Sequence, residues 1–332
     1  MTITTKRTHL LRPLLLAVLV AVLAAPGIRA AQDRLFILKG DLHCHSAFSH
    51  DCEVPVEQVI ADSIIAGYDF IALTEHNTTA HLRDDHSSDK LLVIAGYELT
   101  TPAAHVNIFG LRSIPRKSAI YDKEEMNEHL TTLRERGGLF QLDHPNCETY
   151  YSRFGYDADV DFLEILNGVF REDDRKTLND WQAMLCAGRR LVATGGTDAH
   201  KNHKVRKVFN NVLVAARTEE AILEGLKAGR NFVTVQADGP IISLNCGDII
   251  MGGVAAYEEG QAIAISIGKM VPGITVKVYT SNGLEAVERY TGSIGGTYEK
   301  QVPTEGISFC RVELWFDDGN ICAYSNPIYI QQ

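Results

Sequence analysis

The stretch Phe36-Ile37-Leu38-Lys39-Gly40-Asp41-Leu42-His43-Cys44-His45-Ser46 is an apolar run that ends in two histidines and an acid. In an extended strand alternate side chains share a face, so Asp41, His43 and His45 point together while Leu42 and Cys44 point away. Two imidazoles one strand repeat apart can bind one metal ion, and the neighbouring carboxylate can ligate or orient an imidazole. Cys44, on the opposite face, reads as a small core residue.

Other apolar runs end in the same way. Residues 70–73 lead into Thr74-Glu75-His76-Asn77, residues 91–95 into Gly96-Tyr97-Glu98, and residues 139–142 into Asp143-His144-Pro145. His105 lies in Ala104-His105-Val106-Asn107, and residues 191–194 lead into Gly195-Gly196-Thr197-Asp198-Ala199-His200. Loop histidines have no physical reason to follow successive strands, so a polynuclear metal site in the mouth of a barrel is the economical reading.

Between these runs lie amphipathic stretches at 56–66, 124–136 and 178–187. The rhythm predicts an α/β fold, a parallel sheet or barrel with helices outside, over residues 31–238. Beyond Pro240 short alternating segments (262–267, 274–279, 309–315, 321–324) are separated by Gly, Asn and Asp turns. They predict a small antiparallel, sandwich-like β domain over 239–332, joined near Asp238-Gly239-Pro240.

The 332 residues are 45% hydrophobic, enough for a true core and against disorder or a coiled coil. The net charge of −10, with no Lys/Arg block interleaved with aromatics, argues against a nucleic-acid partner. Seven cysteines are too few for a disulfide scaffold, although Cys246, Cys310 and Cys322 leave room for one bridge. Lys6, Arg7 and Arg12 precede an apolar run at 14–25 and a segment ending Gly27-Ile28-Arg29-Ala30-Ala31. That is the layout of a signal peptide over 1–30, and its apolar run is too short to span about 30 Å of hydrocarbon. The expectation is an exported protein, periplasmic or extracellular, with no transmembrane anchor after cleavage.

The assembled motifs resemble the PHP (polymerase and histidinol phosphatase) family of metal-dependent phosphoesterases, in particular its exported, stand-alone branch that includes carbaryl-ester hydrolases. The residues concerned are 41–46, Ser49-His50-Asp51, Gly67-Tyr68-Asp69 with 74–77, 96–98, His105, His144-Pro145, Glu164 with Asn167-Gly168, and 195–200. Gly229-Arg230-Asn231-Phe232 and Ser325-Asn326-Pro327-Ile328 look like elements of that branch. The resemblance implies a distorted (β/α)7 barrel holding two or three divalent ions, Zn2+, Mn2+ or Fe2+. It implies that His43, His45, Glu98 and Asp198 hold one ion, Glu98, His105 and His144 a second with Glu98 bridging, and Asp51, His76 and His200 a third. His50, adjacent to Asp51, is the alternative donor there. A hydroxide between two ions would attack the substrate, Asp198 would belong to the catalytic set, and His76 or His200 would protonate the leaving oxygen when the third site is empty.

Lys201 and Arg206, in a local basic patch after His200, are the candidate phosphate-binding residues. Glu164 is a candidate support for the ligands, and Cys52 a thiol beside the third site. His81, His86 and His203 read as surface residues, and Tyr150, Tyr151 and Tyr156 as a loop able to wall an aromatic substrate. Three functions compete. They are hydrolysis of a small phosphate mono- or diester, hydrolysis of a carboxylic or carbamic (aryl) ester at the same centre, and a non-enzymatic scaffold whose C-terminal module binds carbohydrate or another partner. Cleavage near Ala30 removes Lys6, Arg7, Arg12 and Arg29 and takes the charge from −10 to about −14. N-terminal sequencing of the exported protein should therefore begin within a few residues of Ala31, and a start at Met1 would refute the leader.

Overall fold

Strand β1 (Phe36–Cys44) begins exposed and is buried from Gly40 onward, as a strand entering the middle of a sheet must be. In this computed structural model, which describes residues 35–204 and 207–332, β1 pairs in parallel with β2 (Phe70–Leu73) and antiparallel, through residues 36–40, with β8 (Phe209–Val214). The leader at 1–30 and Arg206 lie outside the described residues. Gly40 sits against the Phe70 ring so closely that a Cβ there would overlap it.

From β2 the sheet continues in chain order through β3 (Leu92–Thr100), β4 (His105–Phe109), β5 (Leu139–Leu142), β6 (Phe162–Asn167) and β7 (Val192–Gly196). The pairs β2–β3, β5–β6 and β6–β7 are parallel, whereas β3–β4 and β4–β5 are antiparallel. After β7 the chain returns to the first strand. Asp198 N–H donates to the His43 carbonyl at 2.7 Å, and His45 N–H to the Ala199 carbonyl at 3.0 Å. Helices α1 (Val56–Ala66), α2 (Lys123–Arg134) and α3 (Glu172–Cys186) follow β1, β4 and β6. The fold is thus mixed α/β, but the regular alternation of a (β/α)7 barrel is realised only in part. A tight β3–β4 hairpin and helix-free connections after β5 and β7 replace some crossovers.

The edge of β7 is covered by asparagine side chains, which supply the donors and acceptors a neighbouring strand would. Asn326 accepts from Ala193 N–H and donates to its carbonyl, Asn231 donates to the same carbonyl, and Asn210 does the equivalent for Gly195. This gives Asn231 and Asn326, singled out in the sequence, a structural role.

The sheet does not stop where the sequence rhythm changes at 238/239. Strand β9 (Asn231–Thr234) pairs with β18 (Ile321–Ser325), and β17 (Phe309–Trp315) lies next to it. Side chains of β17 alternate between two cores: Phe309 and Trp315 face the barrel side, while Cys310, Val312 and Leu314 face a second layer. That layer contains β10 (Ile241–Cys246), β13 (Ala262–Met270) and β16 (Gly296–Pro303), with alternating burial along each strand. Arg311 is buried with Glu313 at 2.8 Å and packed between the rings of Trp181 and Tyr279, so it ties α3 to β17. All seven cysteines are free, and Cys246, Cys310 and Cys322 pack in the sandwich core rather than pairing. No helix among the described residues is long and apolar enough to cross a membrane.

Two histidines expected at the surface are buried. His81 donates from Nε2 to the carbonyls of Leu73 and Gly96, and His203 donates from Nε2 to that of His45. Burial pushes His81 down to about 4. A depressed histidine contributes stability that is present above its unfolded value near 6.5 and lost as pH falls through about 4. Over that window His81 should cost the fold about 3 kcal/mol. In H81Q the loss of denaturation midpoint between pH 7 and pH 4.5 should be correspondingly smaller than in the wild type, and equal slopes would refute this role.

Candidate metal centre

The closure of β7 onto β1 brings the strand ends together. His43 and His45 at the end of β1 are fully buried, as is Glu98 near the end of β3. Glu98 is the hub: its Oε2 lies 3.3 Å from His43 Nε2, 3.3 Å from His45 Nε2 and 3.0 Å from His76 Nδ1, and its Oε1 lies 2.6 Å from His105 Nδ1. Asp198 is a second hub, its Oδ1 3.2 Å from His45 Nε2 and 3.5 Å from His43 Nε2. Asp51 Oδ2 lies 3.3 Å from His76 Nε2 and 3.2 Å from His200 Nε2. All nine candidate ligands, His43, His45, Asp51, His76, Glu98, His105, His144, Asp198 and His200, therefore meet in one region.

Among the described residues four sets of donor atoms lie within 4.8 Å of one another: His43, Asp143 and Glu164; His43, His45 and Asp198; His43, Glu98 and His144; and His45, His76 and His200. The last differs from the expected third set by bringing in His45. Asp51 nevertheless stands between His76 and His200, while His50 lines the cleft with its ring 5.3 Å from that of His76.

Several imidazoles have their orientation set from behind. Ser49 Oγ donates to Glu75, so it accepts from Nδ1–H of His45 and leaves the Nε2 lone pair facing the site. His200 donates Nδ1–H to the Asp198 carbonyl, with the same result. His76 Nδ1 is 2.7 Å from Thr100 Oγ1. Ser49, Glu75 and Thr100 were not assigned these roles from the sequence. The spacing Ser46-x-x-Ser49 before Glu75 was their only trace. Backbone geometry contributes as well, since Asn77, His144 and Asp198 all have positive φ (52°, 26° and 47°) at strand ends.

The donor set fits divalent metal. His45 Nε2, Glu98 Oε1, His105 Nδ1 and His144 Nδ1 are buried and make no well-formed hydrogen bond, an arrangement otherwise costly. Burial pushes the Glu98 carboxyl up, but His105, His43 and His76 pull it well below the usual carboxylate range. Burial likewise opposes ionisation of Asp198, and His43, His45 and His144 overcome it. Burial, helped by neighbouring imidazoles, pushes His45 down to about 4 and lowers His144, whereas the acids around them overcome burial and raise His43 and His76 in the metal-free protein. Ionised carboxylates and the neutral imidazoles of His45 and His144 are forms that metal binding requires. The mixture of imidazole and carboxylate suits Zn2+, Mn2+ or Fe2+.

The cleft over this cluster, about 130 Å³, is lined by His50, Asp51, His76, His105, His144, Tyr150 and His200 among others. Tyr150 stacks on His105 with ring centroids 5.3 Å apart. Tyr151 is exposed, and Tyr156 is taken up by Asp180, to which its hydroxyl donates at 2.6 Å. Lys201 is exposed and lines an adjoining cleft with His50, Asp51 and His200. Cys52 is buried, its thiol 3.1 Å from the His200 carbonyl.

Residues 41–157 match the PHP domain family. The PHP segment contains His43, His45, Asp51, His76, Glu98, His105 and His144, while Asp198 and His200 lie beyond it. No curated protein matches the chain. Among solved structures, similarity is found to a two-domain protein from Bacteroides vulgatus described as containing a predicted PHP-like metal-dependent phosphoesterase (16% identity, TM-score 0.49, 89% of this chain and 96% of that one). Endonuclease Q bound to a 27-mer duplex with an abasic lesion is similar over 58% of this chain and 57% of its own, at 17% identity and TM-score 0.45. An amidohydrolase from Chromobacterium violaceum, with bound sulfate and no metal, is similar over 48% and 87% at 15% identity and TM-score 0.31.

Gly196, two residues before Asp198, has no room for a side chain: a Cβ would overlap that of His43 and crowd Glu164 Oε1. G196A should lose about 1–3 kcal/mol of stability and bind metal more weakly than wild type. Denaturant titration and elemental analysis check both, and a variant with full metal content would show that the crowding is relieved elsewhere.

Proposed function

We propose that the protein is a metal-dependent hydrolase of small phosphate mono- or diesters. The observation that carries this is the convergence of imidazoles and carboxylates from several strand ends on Glu98 and Asp198, four of their polar atoms buried without a well-formed hydrogen bond, under a cleft open to solvent. A passive scaffold would gain nothing from such a cluster and would bear its desolvation cost. Divalent ions held there would lower the pKa of a bound water toward neutrality and neutralise charge developing on the substrate oxygens.

The chain's own groups then divide the remaining work. Glu98 and Asp198 stay ionised in a buried setting and position the imidazoles around them. His200, at the mouth with its Nε2 3.3 Å from that of His76, would hand a proton to a leaving oxygen when the third site is empty and its Nε2 is protonated. Tyr150 shields one side of the cleft. Lys201, at its rim, can meet an anionic substrate group, and Arg206 is retained as its partner in that role.

A second reading, hydrolysis of an aryl carboxylic or carbamic ester, is favoured by one observation. Among the described residues lining the central cleft there is no lysine or arginine, while an aromatic ring forms part of its wall. The basic and apolar N-terminal segment supports export to the periplasm or beyond as part of this proposal.

Elemental analysis of purified protein should find two or three divalent ions per chain. Turnover of an aryl phosphate or aryl phosphodiester should fall by more than about 100-fold in H43A and in D198A. Turnover of an aryl carboxylate ester alone would replace the first reading with the second. Metal-replete protein that takes up no metal and turns over none of the three would refute both.

A further inference from the structure

Strand β6 supplies none of the nine candidate ligands, yet it carries Glu164, a residue with 1% exposure. Glu164 Oε1 lies 3.0 Å from His43 Nδ1. Its Oε2 accepts from the backbone N–H of His144 at 2.9 Å and from Nδ2 of Asn167 at 3.1 Å. That same Asn167 Nδ2 lies 3.3 Å from Asp198 Oδ2. The carboxylate thus touches the ligand-bearing ends of β1 and β5 directly and reaches that of β7 through Asn167.

We propose that Glu164 is the positioning residue of this centre: one buried carboxylate that sets the tautomer of His43, the backbone of His144 and, through Asn167, the carboxylate of Asp198. The inference rests on the reading that the cluster holds divalent metal.

The chemistry of each contact points the same way. A carboxylate can only accept, so the Glu164–His43 contact requires the proton on Nδ1 and leaves the Nε2 lone pair free, toward Glu98 and Asp198. A negative partner behind the ring also makes Nε2 a stronger donor. The His144 N–H bond holds a residue whose φ of 26° lies off the favoured wells, so the turn that aims that imidazole depends on an acceptor being there. Asn167 is itself fixed from behind, its backbone N–H donating to Asp174 Oδ1 at 3.0 Å. The absence of a side chain at Gly196 is what leaves Glu164 Oε1 its place. A glutamine at 164 would present an NH2 group to two donors, His144 N–H and Asn167, or else turn that group on His43. In the first orientation two of the three contacts fail, and in the second the His43 contact survives only if the ring proton moves to Nε2, which takes away the lone pair facing the site.

The test uses the mature protein, stripped with a chelator and titrated with Zn2+ and, separately, with Co2+. In E164Q the affinity for Zn2+ should drop by about 10- to 100-fold, and the visible absorption of the Co2+ form should shift in position. The metal-free variant should unfold at the wild-type midpoint, and E164D, which keeps the charge, should recover part of the affinity. Wild-type affinity and an unchanged Co2+ spectrum in E164Q would overturn the proposal while leaving the metal centre standing. A wild-type protein that binds neither ion would overturn the metal reading itself. Should E164Q not fold, the nitrogen resonances of His43 in Zn2+-loaded wild type decide: a protonated Nδ1 supports the role, and a bare Nδ1 overturns it.

Discussion

Two ionised carboxylates set among imidazoles, Glu98 fully buried and Asp198 half-buried, fix the charge balance around which this molecule is arranged. Taking them out of water costs several kcal/mol each, and that cost is recovered only if cationic or donor groups stand within a few ångströms and stay there. Much of the surrounding geometry answers that requirement. The hydrogen bonds from Asp198 N–H and His45 N–H that join β7 to β1, the seryl and threonyl oxygens behind His45 and His76, and the positive-φ turns at Asn77, His144 and Asp198 all hold side chains that would otherwise drift apart. Further acids lie just outside the first ring of contacts. Asp143, enclosed by burial and by the nearby Glu164 and Glu98, has its carboxyl pushed well up, so it contributes polarity without adding a further full negative charge to the same volume.

The fold was readable wherever a strand or helix was bounded by a change of period. The helix at 56–66 and the strands at 70–73 and 139–142 fall where the pattern puts them, because each is a pure apolar or amphipathic run with polar residues at both ends. Strand β4 was not legible as a strand. His105–Phe109 is buried on both faces and has no alternation to reveal it. Nor does local sequence show that β3, β4 and β5 run antiparallel, since that depends on a connection of only a few residues after Thr100. The continuity of the sheet through β9 and β18 is equally hidden, being a matter of pairing between segments about ninety residues apart.

The candidate site was legible because most of its candidate ligands stand at the end of an apolar run, where a strand delivers them, and the structure brings those ends together; Asp51, in a turn after β1, and His105, at the start of β4, are the exceptions. What surrounds the ligands was much less so. His81 and His203 have polar neighbours in sequence and look solvated, yet each satisfies its ring with a carbonyl from a distant segment. Tyr156 was grouped with Tyr150 on proximity alone, but a bond to Asp180 on α3 takes it out of the cleft. Such contacts are made by the fold, and no periodicity announces them.

The double-faced strands β17 and β18 have a consequence for how the molecule comes apart. Their side chains are divided between two cores, so neither core can be dissolved without stripping one face of the other. The C-terminal layer is in this sense the floor on which the half carrying the candidate site is built: Tyr324 donates its hydroxyl to the Thr194 carbonyl and Asn326 completes the edge of β7, four to five residues upstream of Asp198. A chain arrested near residue 238 would carry the ligands but leave β9 and the rim of β7 with open hydrogen-bonding edges, a form prone to pair with its own copies. The candidate centre thus depends on β18 and Asn326 as well as on the strands that carry its side chains.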